Sequence, residues 1–289
     1  MSVSVPGVQR VGRSTVGRIE SADIDRAVLA LPATILAALL FGSRLAINAR
    51  VSMPIDPVGL QDSLVTITAL ACAGSILAIA VLHGRGVETV GLSVVGVFGV
   101  LGVIARPATA PAAVAIVAGS TLAIGAKLSG ERALGATLVA GLLIGGLAGS
   151  LAGVVGFESA TTRPIGSQIA LLGAAGTPAV LARGRLDWTL GAIGAGLLVV
   201  VAAIAPFVLG ATGLVAGAIV GASVPVMALA LGGVTTTASA ALRTEAYPAA
   251  LGAGLLLFAG VPATIPRALA VVLAMVVLIG PRADGDPRA

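Results

Sequence analysis

The sequence contains little charge, few aromatic rings and almost none of the side chains that usually carry out chemistry. Of its 289 residues, 10% are charged and 2% are aromatic, with one cysteine, Cys72, and one histidine, His83. So few charged side chains cannot cover the surface of a water-soluble domain of this length. One cysteine excludes a disulfide framework and a cysteine-based metal site. Scattered basic residues and few aromatic rings argue against a nucleic-acid partner.

Apolar residues make up most of the chain. They account for 57% of the residues, and the mean hydropathy is +1.10. A crossing helix needs about 20 apolar residues, so the sequence predicts an all-α integral membrane protein, a polytopic bundle of about ten transmembrane helices without a soluble domain. The predicted spans lie near residues 27–48, 64–82, 89–105, 107–126, 133–157, 164–182, 188–210, 213–233, 246–261 and 267–280.

This pattern divides the chain into three parts. Residues 1–26 form a polar N-terminal segment, residues 27–280 form the membrane domain, and residues 281–289 form a short polar tail. Arginines alternate with apolar residues in the N-terminal segment. That spacing would suit a basic helix on the membrane surface, but the composition favours disorder.

Both ends of the membrane domain allow more than one reading. Ser21 and Asp23 are candidate N-caps for a first spanning helix that begins near Arg26. At the other end, residues 246–280 would form one helix ~52 Å long, too long for a single crossing. Two prolines, Pro262 and Pro266, favour a break there. The result is either two short crossings or a re-entrant hairpin.

The basic residues predict the orientation. With the N-terminus inside, only five of the 17 basic residues fall on the outer side: Arg44, Arg50, Arg106, Arg163 and Arg267. This asymmetry supports cytoplasmic N- and C-termini. Lys127 is the only lysine, and with the richness in alanine, glycine and valine this indicates a G+C-rich prokaryotic genome. We therefore expect a cytoplasmic (inner) cell membrane.

Two short segments suggest an internal repeat. Pro107-Ala-Thr-Ala-Pro111 resembles Pro262-Ala-Thr-Ile-Pro266. The offset would relate residues 27–126 to residues 188–280 in the same orientation, around a central hairpin at 133–182. Alternatively, proline marks two tight outer turns, because it suits the first turn of a helix.

The residue types needed for catalysis and ion coupling are missing from the apolar segments. No serine–histidine pair, His-Glu-x-x-His pattern or glycine-rich loop with a lysine is present, so we expect no enzyme, no catalytic or metal-binding residue and no cofactor. Ion-coupled carriers usually place an acidic residue or histidine near mid-membrane. The acidic residues nearest to the spans lie at predicted helix ends, where capping and loop solvation explain them: Asp62, Glu88, Glu131, Glu158, Asp187 and Glu245.

Small residues and prolines mark candidate contact and cavity positions. Glycine recurs every four residues at Gly141, Gly145, Gly149 and Gly153, and again at Gly213, Gly217 and Gly221. Such spacing lets another helix approach closely. Hydroxyl groups lie beside prolines at Thr177-Pro178 and Ser223-Val224-Pro225, where broken helices could line a cavity with Gln168. Packed proline kinks are the alternative.

These features favour a permease-like carrier of a small neutral or weakly polar solute. The alternative is a non-catalytic membrane subunit or scaffold that acts through partner proteins, since polar residues are scarce inside the spans. The expected partner is the lipid bilayer, with other membrane subunits or a homo-oligomer as further candidates. A carrier requires a cavity near mid-membrane, whereas a scaffold requires only a packed bundle.

Overall fold

The computed structural model describes residues 8–48, 57–128, 134–181, 185–204 and 224–279. Regular structure within these residues is entirely helical. The helices are α1 (Val8–Asn48), α2 (Pro57–His83), α3 (Val87–Ile104), α4 (Thr109–Leu128), α5 (Leu134–Leu151), α6 (Ser159–Ala175), α7 (Pro178–Leu181), α8 (Arg185–Ile204), α9 (Val224–Arg243), α10 (Tyr247–Ala259) and α11 (Ile265–Leu278). Short 3₁₀ helices at Arg106–Ala108 and Ala152–Val155 precede α4 and follow α5.

The all-α membrane bundle predicted from composition is confirmed. Among the described helices, α1 to α5, α8 and α9 contain stretches long and apolar enough to cross a membrane. Helices α10 and α11 are apolar but have only 13 and 14 residues. At 1.5 Å per residue each is ~20 Å long, shorter than the ~30 Å hydrocarbon core.

Two predicted helix boundaries are wrong. Helix α1 begins at Val8 rather than near Arg26, so Ser21 and Asp23 lie inside it and do not cap it. Helix α9 covers Val224–Arg243, whereas the span was expected at 213–233 followed by a loop.

The threonines at 235–237 explain the second error. Thr235, Thr236 and Thr237 each lie within hydrogen-bond distance of a carbonyl four residues earlier, at 2.8, 2.7 and 2.9 Å. Their hydroxyl groups are therefore satisfied by their own helix. A polar run of this kind continues the helix through the buried bundle, although by hydropathy it resembles a loop.

Helix α11 lies at the centre of the bundle. Every residue from Ala268 to Leu278 is buried, and the helix packs against α10, α2, α3, α4 and α1. A helix that is apolar on all sides can be buried in this way without leaving polar side chains unpaired. Because lipid is as apolar as these side chains, close packing rather than the hydrophobic effect holds the helices together here.

The two proline-containing segments both lead into helices. Pro107 lies in the 3₁₀ helix before α4, and Pro266 lies in the first turn of α11. A Cβ added at Gly102 would be 2.6 Å from Ala112 Cβ and 3.5 Å from Ile265 Cγ2. Helices α4 and α11 therefore begin at the same end of the bundle. Helix starts account for the prolines, and the wider repeat stays a prediction.

Glycines bring α5 and α6 into backbone contact, and two members of the predicted four-residue series, Gly149 and Gly153, take part. A Cβ at Gly146 would lie 2.6 Å from Ala170 Cα, and one at Gly149 would lie 2.9 Å from Gly166 Cα. Gly153 faces Ser159 in the same way, whereas Gly145 is only loosely packed and Gly141 has open space beside it. The second predicted glycine series, Gly213, Gly217 and Gly221, lies outside the described residues.

This difference between two glycines of α5 gives a direct test of the packing. We expect Gly146→Ala to destabilise the protein by roughly 1–3 kcal/mol, because the added methyl group has no room. Gly141→Ala should be neutral or stabilising by up to about 1 kcal/mol, since alanine favours a helix. Thermal unfolding in one detergent compares the two variants with the wild type. Equal melting temperatures would contradict the contact.

Candidate functional site

A cavity of about 220 Å³ lies between the helices on one side of α11. It is larger than the space of one water molecule and smaller than the ~300–1,000 Å³ of typical drug-sized sites. No side chain in the described lining is polar. The lining consists of Phe41, Leu143, Ala170, Leu171, Ala174, Leu198, Met227, Ala230, Leu231, Val234, Leu256, Leu257, Gly260, Val261, Pro262 and Val271.

Non-helical backbone forms part of the cavity wall. The chain breaks between α10 and α11, and Gly260, Val261 and Pro262 of this break line the cavity. Gly260 has φ 64° and ψ −137°, a conformation that residues with a Cβ rarely adopt. The break directly precedes α11, and irregular backbone in a membrane protein is tolerated when it is buried or lies beside a cavity.

Sequence reasoning did not assign the Gly260–Pro262 segment to a cavity. The available signal was a glycine followed by two prolines in an apolar stretch whose halves are each too short to cross. That pattern identified the break. Only the three-dimensional arrangement shows that α1, α6 and α9 leave a space beside it.

The predicted Thr177-Pro178 position is packed instead of open. Thr177 is fully buried, and its hydroxyl donates to the Ala174 carbonyl at 2.8 Å. The Thr237 hydroxyl oxygen of α9 lies 2.9 Å from that of Thr177. Pro178 has no N–H for the carbonyl four residues earlier, which is Ala174. The Ala174 carbonyl instead accepts from the N–H of Thr177 at 3.3 Å as well as from its hydroxyl, and the Thr177 hydroxyl also joins this segment to α9.

The other predicted cavity residues also lie away from this cavity. Pro225, near the start of α9, and Gln168, in α6, are exposed. Ser223 lies outside the described residues. Their helices do contribute to the lining, through Met227 of α9 and Ala170 of α6. The predicted elements border the cavity, but the predicted side chains do not.

Three arginines lie together at the end of the bundle where α11 begins. Arg44 is in the last turns of α1, Arg163 is in α6, and Arg267 is in the first turn of α11. All three are partly buried. The guanidinium groups of Arg44 and Arg163 lie close enough to that of Arg267 for their charges to repel it. All three had been assigned to the outer side, and the structure brings them to one end.

The opposite end of α11 is held by a buried ion pair. Lys127 Nζ lies 3.1 Å from Glu88 Oε1, with 1% and 10% of the two side chains exposed. The same ammonium donates to the Val276 carbonyl at 3.1 Å. The last carbonyls of a helix have no partner within it, and a cation there also interacts favourably with the helix dipole. Lys127 therefore caps α11 and joins it to α3 and α4.

A second ion pair connects α8 and α9. Arg243 Nη1 donates to Asp187 Oδ1 at 2.9 Å, and Ser239 Oγ lies 3.4 Å from the same oxygen. Asp187 is buried, while 51% of the arginine side chain is exposed. Glu88 and Asp187 do lie in the first turns of α3 and α8, as expected for helix ends, but the loop solvation expected for them is wrong, because both are buried. Their partners are distant in the sequence, so no local pattern could have paired them.

Breaking the buried Lys127–Glu88 pair should lower the stability of the protein more than breaking the half-exposed Arg243–Asp187 pair. We expect Lys127→Met to destabilise the protein by about 3–5 kcal/mol, because it leaves Glu88 buried without a counter-charge. Adding Glu88→Gln to the same chain should restore much of the loss. Arg243→Gln, where water reaches the arginine, should cost less. Melting temperatures of the single and double variants in detergent give the coupling, and additive effects of the two substitutions would contradict the pair.

The sequence matches the model of one known protein family. No curated protein and no solved structure matches it. One family model, an integral membrane family of unknown function (DUF8068), matches residues 26–279. This range covers every helix from the apolar part of α1 to the end of α11, including the cavity and both charged ends. The chain therefore belongs to this integral membrane family.

Proposed function

We propose that the protein is a membrane carrier and that the cavity beside α11 holds its solute. The observation that supports this proposal is an apolar space of about 220 Å³ inside the bundle, bordered by a helix break. Solute sites of membrane carriers commonly lie where helices are interrupted. A cavity with these walls favours a small solute that is neutral or weakly polar over most of its surface.

The buried acidic residues Glu88 and Asp187 have a structural role that does not require ion binding. Glu88 and Asp187 are each neutralised by a basic partner at hydrogen-bond distance. A carboxylate held in this way stabilises helix contacts and does not need to bind an ion from solution. We therefore propose that the solute moves down its own gradient, without a coupled proton or sodium ion.

A cysteine scan of α9 tests for a solute path. Cys72 is buried and is the only cysteine, so Cys72→Ala provides a cysteine-free background. Ala230→Cys places a thiol on the cavity wall, and Ala228→Cys is its matched control. Both alanines are 5% exposed on the same helix, but only Ala230 lines the cavity.

The carrier predicts reaction from both sides of the membrane. A small, membrane-impermeant thiol reagent is applied to proteoliposomes from outside or enclosed within them. Ala230→Cys should react at least about tenfold faster than Ala228→Cys from either side, because a thiol must reach water to react. Reaction from one side only would show a pocket that opens to that side alone, and would contradict the carrier. An unreactive Ala230→Cys favours the membrane subunit or scaffold.

A further inference from the structure

The described wall of the cavity beside α11 contains no side chain that forms hydrogen bonds. Seven helices contribute residues to this wall, namely α1, α5, α6, α8, α9, α10 and α11, and each described lining side chain is apolar. A water molecule buried in a protein needs about two to four polar partners. The described wall provides none through its side chains, so it favours a dry cavity.

The hydroxyl groups of α9 interact within their own helix and do not line the cavity. Thr235, Thr236 and Thr237 bond to carbonyls four residues earlier, and Ser239 Oγ lies 2.9 Å from the Thr236 carbonyl oxygen. The part of α9 that borders the cavity consists of Met227, Ala230, Leu231 and Val234. A solute in the cavity therefore meets no hydroxyl group of this helix.

The helix break before α11 adds little hydrogen-bonding capacity. The Val261 carbonyl accepts from the Ala263 N–H at 2.8 Å, and Pro262 has no N–H. Ser167 of α6 is buried, and its hydroxyl has no hydrogen-bond partner among the described residues, but Ser167 does not line the cavity. These polar groups are thus either paired, missing or outside the wall.

The volume of the cavity limits the size of a solute. An engineered cavity of about 150 Å³ with a wall of leucine, isoleucine and phenylalanine stays dry and binds benzene or xenon. The cavity beside α11 has a similarly apolar wall and a volume of about 220 Å³. In proportion, it holds a molecule of about nine heavy atoms. A polar group on such a molecule would lose its hydrogen bonds on entry, which is costly when no partner replaces them.

We propose that this cavity binds a small hydrocarbon of about nine heavy atoms that carries no hydrogen-bonding group. Close packing against the side chains of the wall, such as Ala174, Ala230 and Leu256, holds the hydrocarbon in place. The proposal rests on the solute cavity assigned under the proposed function. It narrows the solute from a neutral or weakly polar molecule to a wholly apolar one.

A matched pair of solutes tests the chemical class. Indene and indole have nearly the same shape and the same number of heavy atoms, but only indole carries an N–H group. The purified protein in phosphatidylcholine nanodiscs is dialysed against each compound. Binding in excess of protein-free nanodiscs is then compared at equal concentrations in the lipid. Indene should bind at least about tenfold more tightly than indole, because the buried N–H group would have no partner. Equal affinities would overturn the proposal. No excess of indene would overturn it too, since lipid chains would then fill the cavity.

Three alanine substitutions separate binding in the cavity from folding. Ala230→Leu should fill part of the cavity and weaken indene binding at least about tenfold, because the remaining space is too small. Ala192→Leu is the control, since Ala192 is exposed on α8 and does not line the cavity. Without a solute, Ala230→Leu should melt at or above the temperature of the wild type, whereas Ala228→Leu, at a buried position outside the cavity, should melt lower. Equal losses of melting temperature would show that no space exists beside Ala230 and would overturn the proposal.

Two further variants test the size limit and the absence of a polar contact. Leu256→Ala enlarges the cavity and should bind acenaphthene, which has about a third more heavy atoms than indene, at least about tenfold more tightly than the wild type does. An unchanged affinity would contradict the size limit. Ser167→Ala should leave the binding of both indene and indole unchanged, because Ser167 lies outside the wall. Weaker indole binding in Ser167→Ala would reveal a polar contact and would contradict a wholly apolar site.

Failure of the carrier and failure of this proposal give different results. A preference for indene, combined with thiol reaction of Ala230→Cys from one side only, would retain the apolar site and reject the carrier. Reaction from both sides, combined with equal affinities for indene and indole, would retain the carrier and reject the apolar solute. If both hold, indene should slow the reaction of Ala230→Cys but not that of Ala228→Cys, because the reagent reaches the wall only after the solute leaves.

Discussion

The ammonium group of Lys127 allows a helix too short to cross the membrane to occupy the centre of the bundle. Its contacts with the Val276 carbonyl and with Glu88 are both 3.1 Å long. Without them, the last turn of α11 would leave unpaired carbonyls in a space that water does not reach, which is costly in lipid and in protein alike. Because α3, α4 and α11 each contribute one group, the position of α11 fixes the neighbours that pack around it.

The charged residues near the two ends of α11 differ in their neighbours. At the C-terminal end, a cation meets both a carboxylate and the negative end of the helix dipole, so every charge has a favourable neighbour. At the N-terminal end, Arg267 lies in the first turn of the helix, at the positive end of the dipole, with the basic residues Arg44 and Arg163 on neighbouring helices. The first arrangement stabilises the bundle by itself.

The helices pack closely in some parts of the bundle and leave a cavity in another. Helices α5 and α6 meet through glycines at backbone contact distance, as do α3 and α4 at Gly91 and Gly119. Neighbours on a helix face alternate between three and four residues apart, so only Gly149 and Gly153 of the four-residue series reach the contact, and Gly146 takes part where Gly145 does not. Between α6, α9 and α10, by contrast, the side chains of Leu171, Met227 and Leu256 border the cavity.

Local patterns in the sequence determined the class of the protein, most helix positions and the break near Pro262. Hydropathy and proline act within a single helix, so they can be read without knowing its neighbours. The sequence also indicated that Arg44, Arg163 and Arg267 share one side of the membrane. It did not indicate that they converge, or that Glu88 meets Lys127 and Asp187 meets Arg243. Those pairings join residues tens of positions apart, and such distances are set only when helices pack. Tertiary structure therefore decided which charges are neutralised, which remain clustered, and where the bundle stays open.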